Sequence, residues 1–219
     1  MSYERVSYDK NAPRAHALER RAGKLTGGGT VAKKKKLRSF LYLLPGLTML
    51  TVSGSDLSAE NLSVLGGRPE NRIGIGLWGM AAGYALFCFM KYLFRLDGGP
   101  HKGANCFLIS AAVLFAVSFA LPYVPEKAPF VSSLHVKAAF FSTMSFLAGL
   151  VCFLHSISKK HPGRLSAAWM LFGCQSAFAL AILYQEGFIT SLLEIFIIAS
   201  VCMYLLYLEQ LLICLARTD

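Results

Sequence analysis

Residues 188–215 read FITSLLEIFIIASVCMYLLYLEQLLICL, a stretch with only two charged side chains, Glu194 and Glu209. A helix rises about 1.5 Å per residue, so one over this stretch exceeds the ~30 Å thickness of a hydrocarbon core. We therefore predict a transmembrane helix here, long enough to be tilted or to protrude. Glu194 would lie near its start, and Glu209 close enough to the inner interface to reach water.

The whole chain has the composition of a membrane protein: 55% of its residues are hydrophobic, 16% are charged, and the mean hydropathy is +0.50. This balance is too apolar for a soluble domain of 219 residues. The predicted fold is all-α, a bundle of six transmembrane helices within residues 39–217: 39–53, 73–94, 104–121, 132–157, 165–184 and 188–215. The first is short for a full crossing and contains Pro45. In the second, Gly74, Gly76, Gly79 and Gly83 predict close approach of a neighbour.

The net charge of +10 is concentrated in the first 38 residues, which carry eleven of the 22 Lys and Arg residues. Residues 1–38 lack the apolar periodicity of a folded core, so we predict a disordered, basic cytoplasmic tail. Its membrane-surface residues are Lys33, Lys34, Lys35, Lys36 and Arg38, which would contact anionic lipid headgroups. Nucleic acid is not the predicted partner, because this charge directly precedes an apolar segment.

Six crossings place both termini on one side of the membrane. In this topology eighteen basic residues lie on the inner side, and only Arg68, Arg72, Lys127 and Lys137 lie outside. Because cytoplasmic segments retain Lys and Arg, the bias predicts that both termini are cytoplasmic.

Three polar residues within the predicted helices need an explanation, because a charge at the centre of a bilayer costs about 2.5–3.5 kcal/mol on insertion scales. They are His135, one turn into the fourth helix, Lys137 on the same helix, and Glu194, near the start of the sixth. Lys137 lies on a different face from His135 and is expected to extend its ammonium group outward to the interface. One hypothesis is an outward-facing polar pocket that holds a lipid headgroup and is lined by His135, Glu194, Ser132, Ser142, Asp56 and Glu70. The alternative is a buried His135–Glu194 pair that fixes the packing of two helices.

Three segments carry a resemblance to a known superfamily. They are SDLSAENLSVLGGRPEN at 55–71, LHV at 134–136 followed by Phe140 and Phe141, and SLLEIF at 191–196. Their order resembles the six-helix superfamily of the damage-regulated autophagy modulators, the Frag and Sfk proteins and their uncharacterised bacterial relatives. The resemblance covers roughly residues 40–215 and implies a six-helix fold. The relatives' roles include autophagy regulation, remodelling of glycosylphosphatidylinositol lipids and control of lipid organisation, so no shared reaction is implied.

The predicted function is binding or sensing of a lipid by an integral membrane protein. A structural subunit or assembly factor of a larger membrane complex is the alternative, and a lipid-modifying membrane enzyme is a second one. The sequence has no G-x-S-x-G, H-E-x-x-H or phosphate-binding glycine loop, so we assign no catalytic residue, metal or cofactor. A protein partner or a second copy of the chain stays open. Gln175 and Asn105 are expected to bond across helices.

Overall fold

The computed structural model of the chain describes residues 28–53, 56 and 60–218. Within these residues the protein is helical and contains no strand. Its helices are α1 (Gly28–Thr51), α2 (Leu62–Gly67), α3 (Pro69–Asp97), α4 (Lys102–Ala120), α5 (Pro129–Lys160), α6 (Ser166–Glu186) and α7 (Ser191–Thr218).

Five of these helices, α3 to α7, are long and apolar enough to cross a membrane. Each corresponds to one predicted transmembrane helix, and no end differs from its predicted position by more than four residues. The prediction of an all-helical, multi-pass integral membrane protein is therefore confirmed.

Helix α1 differs from the sequence prediction. It begins at Gly28, within the segment predicted to be a tail, and is not among the five candidate spans. Ala, Lys, Leu and Arg are good helix formers, so a basic segment can continue an apolar helix although it cannot enter the bilayer. Residues 1–27 of the predicted tail lie outside the described residues. The chain divides into two units, residues 1–39 and residues 40–219, and the packing of the helices is a property of the second unit.

The most extensive helix contact is between α4 and α5, which run antiparallel. Ser118 lies near His135 at one end, and Ser142 donates a hydrogen bond to the Ala111 carbonyl in the middle, at 2.8 Å. At the other end a Cβ on Gly149 would lie 3.2 Å from the Ala104 carbonyl oxygen. The small residue at position 149 therefore lets the two backbones approach closely.

Helix α3 packs against α4 through the predicted glycine face. A Cβ on Gly76 or Gly79 would lie 3.2 or 3.4 Å from Phe119, and one on Gly83 would lie 2.9 Å from Phe115. Gly74 has open space where its Cβ would be. The predicted close approach is thus confirmed for three of the four glycines.

Helix α7 runs through the interior and α6 lies at the edge. Half of the most apolar 18-residue stretch of α7 is buried, against 6% of the corresponding stretch of α6. The Tyr204 hydroxyl of α7 donates to the Ala168 carbonyl of α6 at 3.0 Å. Gln175 donates to the Ser200 carbonyl at 3.4 Å, which confirms its predicted bond across helices.

The helix bundle has two ends, and we name each one after a helix or residue that lies there. The α2 end comprises residues 60–68, 121–128 and 187–190, where α2 lies beside the starts of α3, α5 and α7. The Asp97 end comprises residues 97–102 and 159–165, together with the end of α7.

Candidate functional site

The short helix α2 is held at the α2 end by groups from three other segments. Asn61 caps it, since its side-chain oxygen accepts a hydrogen bond from the Val64 N–H at 2.9 Å. The Glu194 carboxylate, from the first turn of α7, accepts from the Leu62 N–H at 2.7 Å. The carboxylate thus meets the positive end of a helix and satisfies one of its orphan donors.

His135 binds the next residue of α2. Its Nδ1 lies 2.7 Å from the Ser118 carbonyl oxygen and 2.9 Å from that of Leu121. Two acceptors facing Nδ1 require the proton there, so in the neutral ring Nε2 is an acceptor. The Ser63 hydroxyl, 3.0 Å from Nε2, then donates to it.

Glu194 and His135 therefore both bind to α2 rather than to each other. They bind the adjacent residues Leu62 and Ser63, and the described part of the chain shows no hydrogen bond between the two side chains themselves. Further bonds tie the approach to α2 to the start of α7: Asn61 donates to the Ile189 carbonyl at 3.4 Å, and the Ser191 N–H donates to the Glu60 carbonyl at 2.7 Å. The three segments that carry the superfamily resemblance converge at this point.

The other predicted pocket residues are dispersed. Ser132 is buried and accepts from the Val124 N–H at 2.9 Å, while Ser142 is buried within the α4–α5 contact. Asp56 and Glu70 are exposed, Glu70 in the first turn of α3. The structure brings His135 and Glu194 to one short helix and gives the two serines separate structural bonds.

Two grooves lie along the apolar faces of the helices. One, of about 400 Å³, separates α1 from α3 and is lined by Phe40, Leu47, Leu50, Thr51, Leu77, Trp78 and Ala81. The other, of about 420 Å³, separates α6 from α7 and is lined by Leu171, Cys174, Gln175, Phe178, Phe196, Ala199, Ser200 and Met203. None of the six predicted pocket residues lines either groove.

The Asp97 end contains a buried cluster that sequence reasoning missed. The side chains of His101 and Asp97 are 1% and 3% exposed, and His101 Nε2 lies 2.8 Å from Asp97 Oδ2. Lys160, from the end of α5, forms an ion pair with the same carboxylate. Burial lowers the pKa of His101, and the nearby Lys160 charge lowers it further, against the opposing effect of Asp97. The sequence did offer one indication of this cluster: Asp97 is the one acidic residue between Lys91 and Ala104, among several basic ones.

A second missed pair joins α3 to α7. The Tyr92 hydroxyl donates to Glu209 Oε1 at 3.1 Å, and Glu209 is 0% exposed. The expectation that Glu209 reaches water is therefore wrong, because its side chain points into the helix contact.

The five predicted membrane-surface residues lie in α1. Lys35 and Lys36 are exposed, whereas Lys34 and Arg38 are partly buried. Lys33 belongs to the same helix by its backbone.

Comparison with known proteins gives no relative. No protein-family model, curated protein or solved structure matches the chain.

Proposed function

We propose that this protein is a structural subunit or assembly factor of a larger membrane complex, and that α6 carries its docking surface. The observation that carries the proposal is the sparse packing of α6 within its own chain, since Ala168 is its one buried residue. A span that contributes so little to its own bundle is available to another protein.

The free face of α6 has the shape that membrane helix contacts use. Gly173, Ala177 and Ala181 recur every four residues and are exposed, with open space where a Cβ at Gly173 would be. Small residues at this spacing let two helices approach closely in lipid. Tyr184 lies on the same face, one turn beyond Ala181, and is 90% exposed.

The α2 end supports the same proposal. Three of the groups expected to bind a ligand lie there, Glu194, His135 and Ser132, and each hydrogen-bonds to another part of the chain. The bonds of Glu194 and His135 hold α2, the short helix before α3, in one position. A fixed surface suits a protein that other proteins assemble on.

We also propose that the chain belongs to the six-helix superfamily it resembles, with α1 as the sixth crossing. Val52, just after α1, packs in one cluster with Leu62, Leu65 and Ile195, close to the start of α3. Helix α1 thus ends where α3 and α7 begin, as a first crossing would. The convergence of the three resemblance segments at α2 supports the membership.

Assembly through α6 can be tested with two matched substitutions. Gly173→Leu fills the stripe on α6, and Gly74→Leu adds the same side chain at an equally open, exposed position on α3. Native electrophoresis of mild-detergent extracts from the native membrane should show a complex larger than the 23.9 kDa chain. We expect Gly74→Leu to preserve the complex and Gly173→Leu to reduce it to the free chain. A complex of unchanged size in Gly173→Leu would rule out docking on this face.

Lipid sensing at the α2 end is a second candidate function, favoured by the convergence of His135 and Glu194 on α2. A headgroup with a cationic group that bound the Glu194 carboxylate would draw it away from the Leu62 N–H and so release the short helix. This function needs the negative charge of the carboxylate. If Glu194 is instead a structural clamp, a side chain that only holds α2 in place, it needs no more than an oxygen that accepts the hydrogen bond from the Leu62 N–H.

Two substitutions at Glu194 separate these functions. Glu194→Gln keeps an acceptor for the Leu62 N–H, and Glu194→Leu removes it. A structural clamp predicts that Glu194→Leu lowers the unfolding free energy by about 1–3 kcal/mol and that Glu194→Gln lowers it less. Lipid sensing predicts that Glu194→Gln loses a specific lipid that co-purifies with the wild type, as measured by native mass spectrometry. Wild-type lipid retention in Glu194→Gln would exclude lipid sensing.

A further inference from the structure

Lys91 places a positive charge inside a membrane span. It lies six residues before the end of α3, about 9 Å from that end, and is partly buried. Its ammonium group donates a hydrogen bond to Asn105 Oδ1 on α4 at 2.7 Å. This bond confirms the expectation that Asn105 bonds across helices, and it holds the ammonium group between α3 and α4.

No carboxylate among the described residues forms an ion pair with Lys91. Asp97, the nearest acidic residue along the chain, is already paired with His101 and Lys160. An ammonium group has three N–H donors, and Asn105 provides a neutral acceptor for one of them. A cation in a span is costly without a counter-charge, so an anion from outside the chain would stabilise Lys91 at this position.

The surroundings of Lys91 match an amphipathic anion. Arg95, one turn further along α3, and Lys102, at the start of α4, are both exposed and add positive charge at the Asp97 end. Towards the middle of the membrane, Tyr84 on the Lys91 face is 69% exposed, and Ile109, one turn from Asn105, is 49% exposed. The cationic groups thus lie at the end of the two helices, and the exposed side chains of Tyr84 and Ile109 continue from them towards the middle of the membrane.

We infer that Lys91 and Asn105 form a binding site for the phosphate group of an anionic phospholipid, whose acyl chains lie along Tyr84 and Ile109. Basic pockets between transmembrane helices on the cytoplasmic side bind lipid phosphates in this way. The site is at the opposite end of the helices from α2 and does not depend on docking at α6.

The test uses the full-length protein in detergent, titrated with phosphatidylglycerol and followed by native mass spectrometry. Lys91→Met should weaken binding of the first phosphatidylglycerol about tenfold, which corresponds to ~1.4 kcal/mol. Lys91→Arg keeps the charge and should retain binding. Lys137→Met is the matched control, because it removes an exposed lysine from α5 near the α2 end. Thermal unfolding of each variant establishes that it is folded.

Loss of the lipid in Lys91→Met alone, with retention in Lys91→Arg and Lys137→Met, supports the site. Equal retention in the wild type and in Lys91→Met would overturn it, as would equal loss in Lys137→Met. A further arm adds excess inorganic phosphate. Displacement of phosphatidylglycerol by free phosphate would overturn the assignment to lipid, because the acyl chains would then contribute nothing.

Discussion

The imidazole of His101 lies between the rings of Phe94 and Phe153, with centroids 5.2 and 4.8 Å away. Its one polar neighbour from α3 is Asp97, and the charged group that reaches this cluster from α5 is Lys160. Nδ1 has no hydrogen-bond partner among the described residues, so a second proton would be buried without an acceptor. The neutral ring is therefore the form that fits the turn between α3 and α4.

This environment predicts a loss of stability at acidic pH. The pKa of His101 is lower in the folded protein than its usual value near 6.5, so the unfolded chain binds more protons as the pH falls below that value. The contribution of His101 to stability is thus present above about pH 6.5 and is lost as the pH falls through the folded pKa. Thermal unfolding in detergent should give a lower midpoint at pH 5.5 than at pH 7.5.

The control for this prediction is a second histidine. His101→Gln removes the titrating group and should give a smaller fall of the midpoint, whereas His155→Gln, at an exposed position on α5, should keep the wild-type fall. An identical pH response in His101→Gln and the wild type would mean that His101 does not titrate in this range.

Single residues also show what the sequence could and could not reveal at the site. His135 and Glu194 stood out because polar groups in apolar helices are costly. Their partners could not be predicted, because Leu62 N–H and Ser63 become accessible only through the position of a six-residue helix. Asp97 and Glu209 were missed as partners for the same reason: the pairs they form join helices far apart in the sequence.

At the scale of helices, length and apolarity were enough to identify α3 to α7, because a span must be about 20 apolar residues long. The same measure could not separate α6 from α7. Both are apolar throughout, yet α6 lies at the edge and α7 in the interior. In lipid an apolar residue is stable on either face, so hydropathy does not record which face is buried.

The start of helix α1 could not be predicted from the sequence for a different reason. Helix formation depends on backbone propensity, whereas membrane insertion depends on the free energy of transfer, and the two boundaries need not coincide. The sequence showed where apolar residues begin, near Ser39, but the helix begins at Gly28. Among the described side chains, the buried residues of α1 are Leu41, Leu44 and Thr48, all in its apolar half.

At the scale of the whole molecule, charge separates the two ends of the helices. The Asp97 end carries Lys102, Lys159, Lys160 and Arg164 in its loops and helix termini, with Asp97 as the opposing charge. The α2 end has two basic residues, Arg68 and Lys127, and it also carries Glu60 and Glu126. Because basic loops are retained in the cytoplasm, we propose that the Asp97 end faces inward.

Topology follows from this proposal and can be measured with a membrane-impermeant maleimide on a cysteine-free background. Lys127→Cys reports the α2 end, Lys159→Cys the Asp97 end, and Ser2→Cys the N-terminus; the first two positions are exposed. In intact cells that carry the protein in the plasma membrane, we expect labelling of Lys127→Cys alone, and after permeabilisation we expect labelling of all three variants. If Ser2→Cys were labelled together with Lys127→Cys, α1 would not cross and the chain would have five spans. Labelling of Lys159→Cys in intact cells would instead reverse the orientation and place the Lys91 phosphate site in the opposite leaflet.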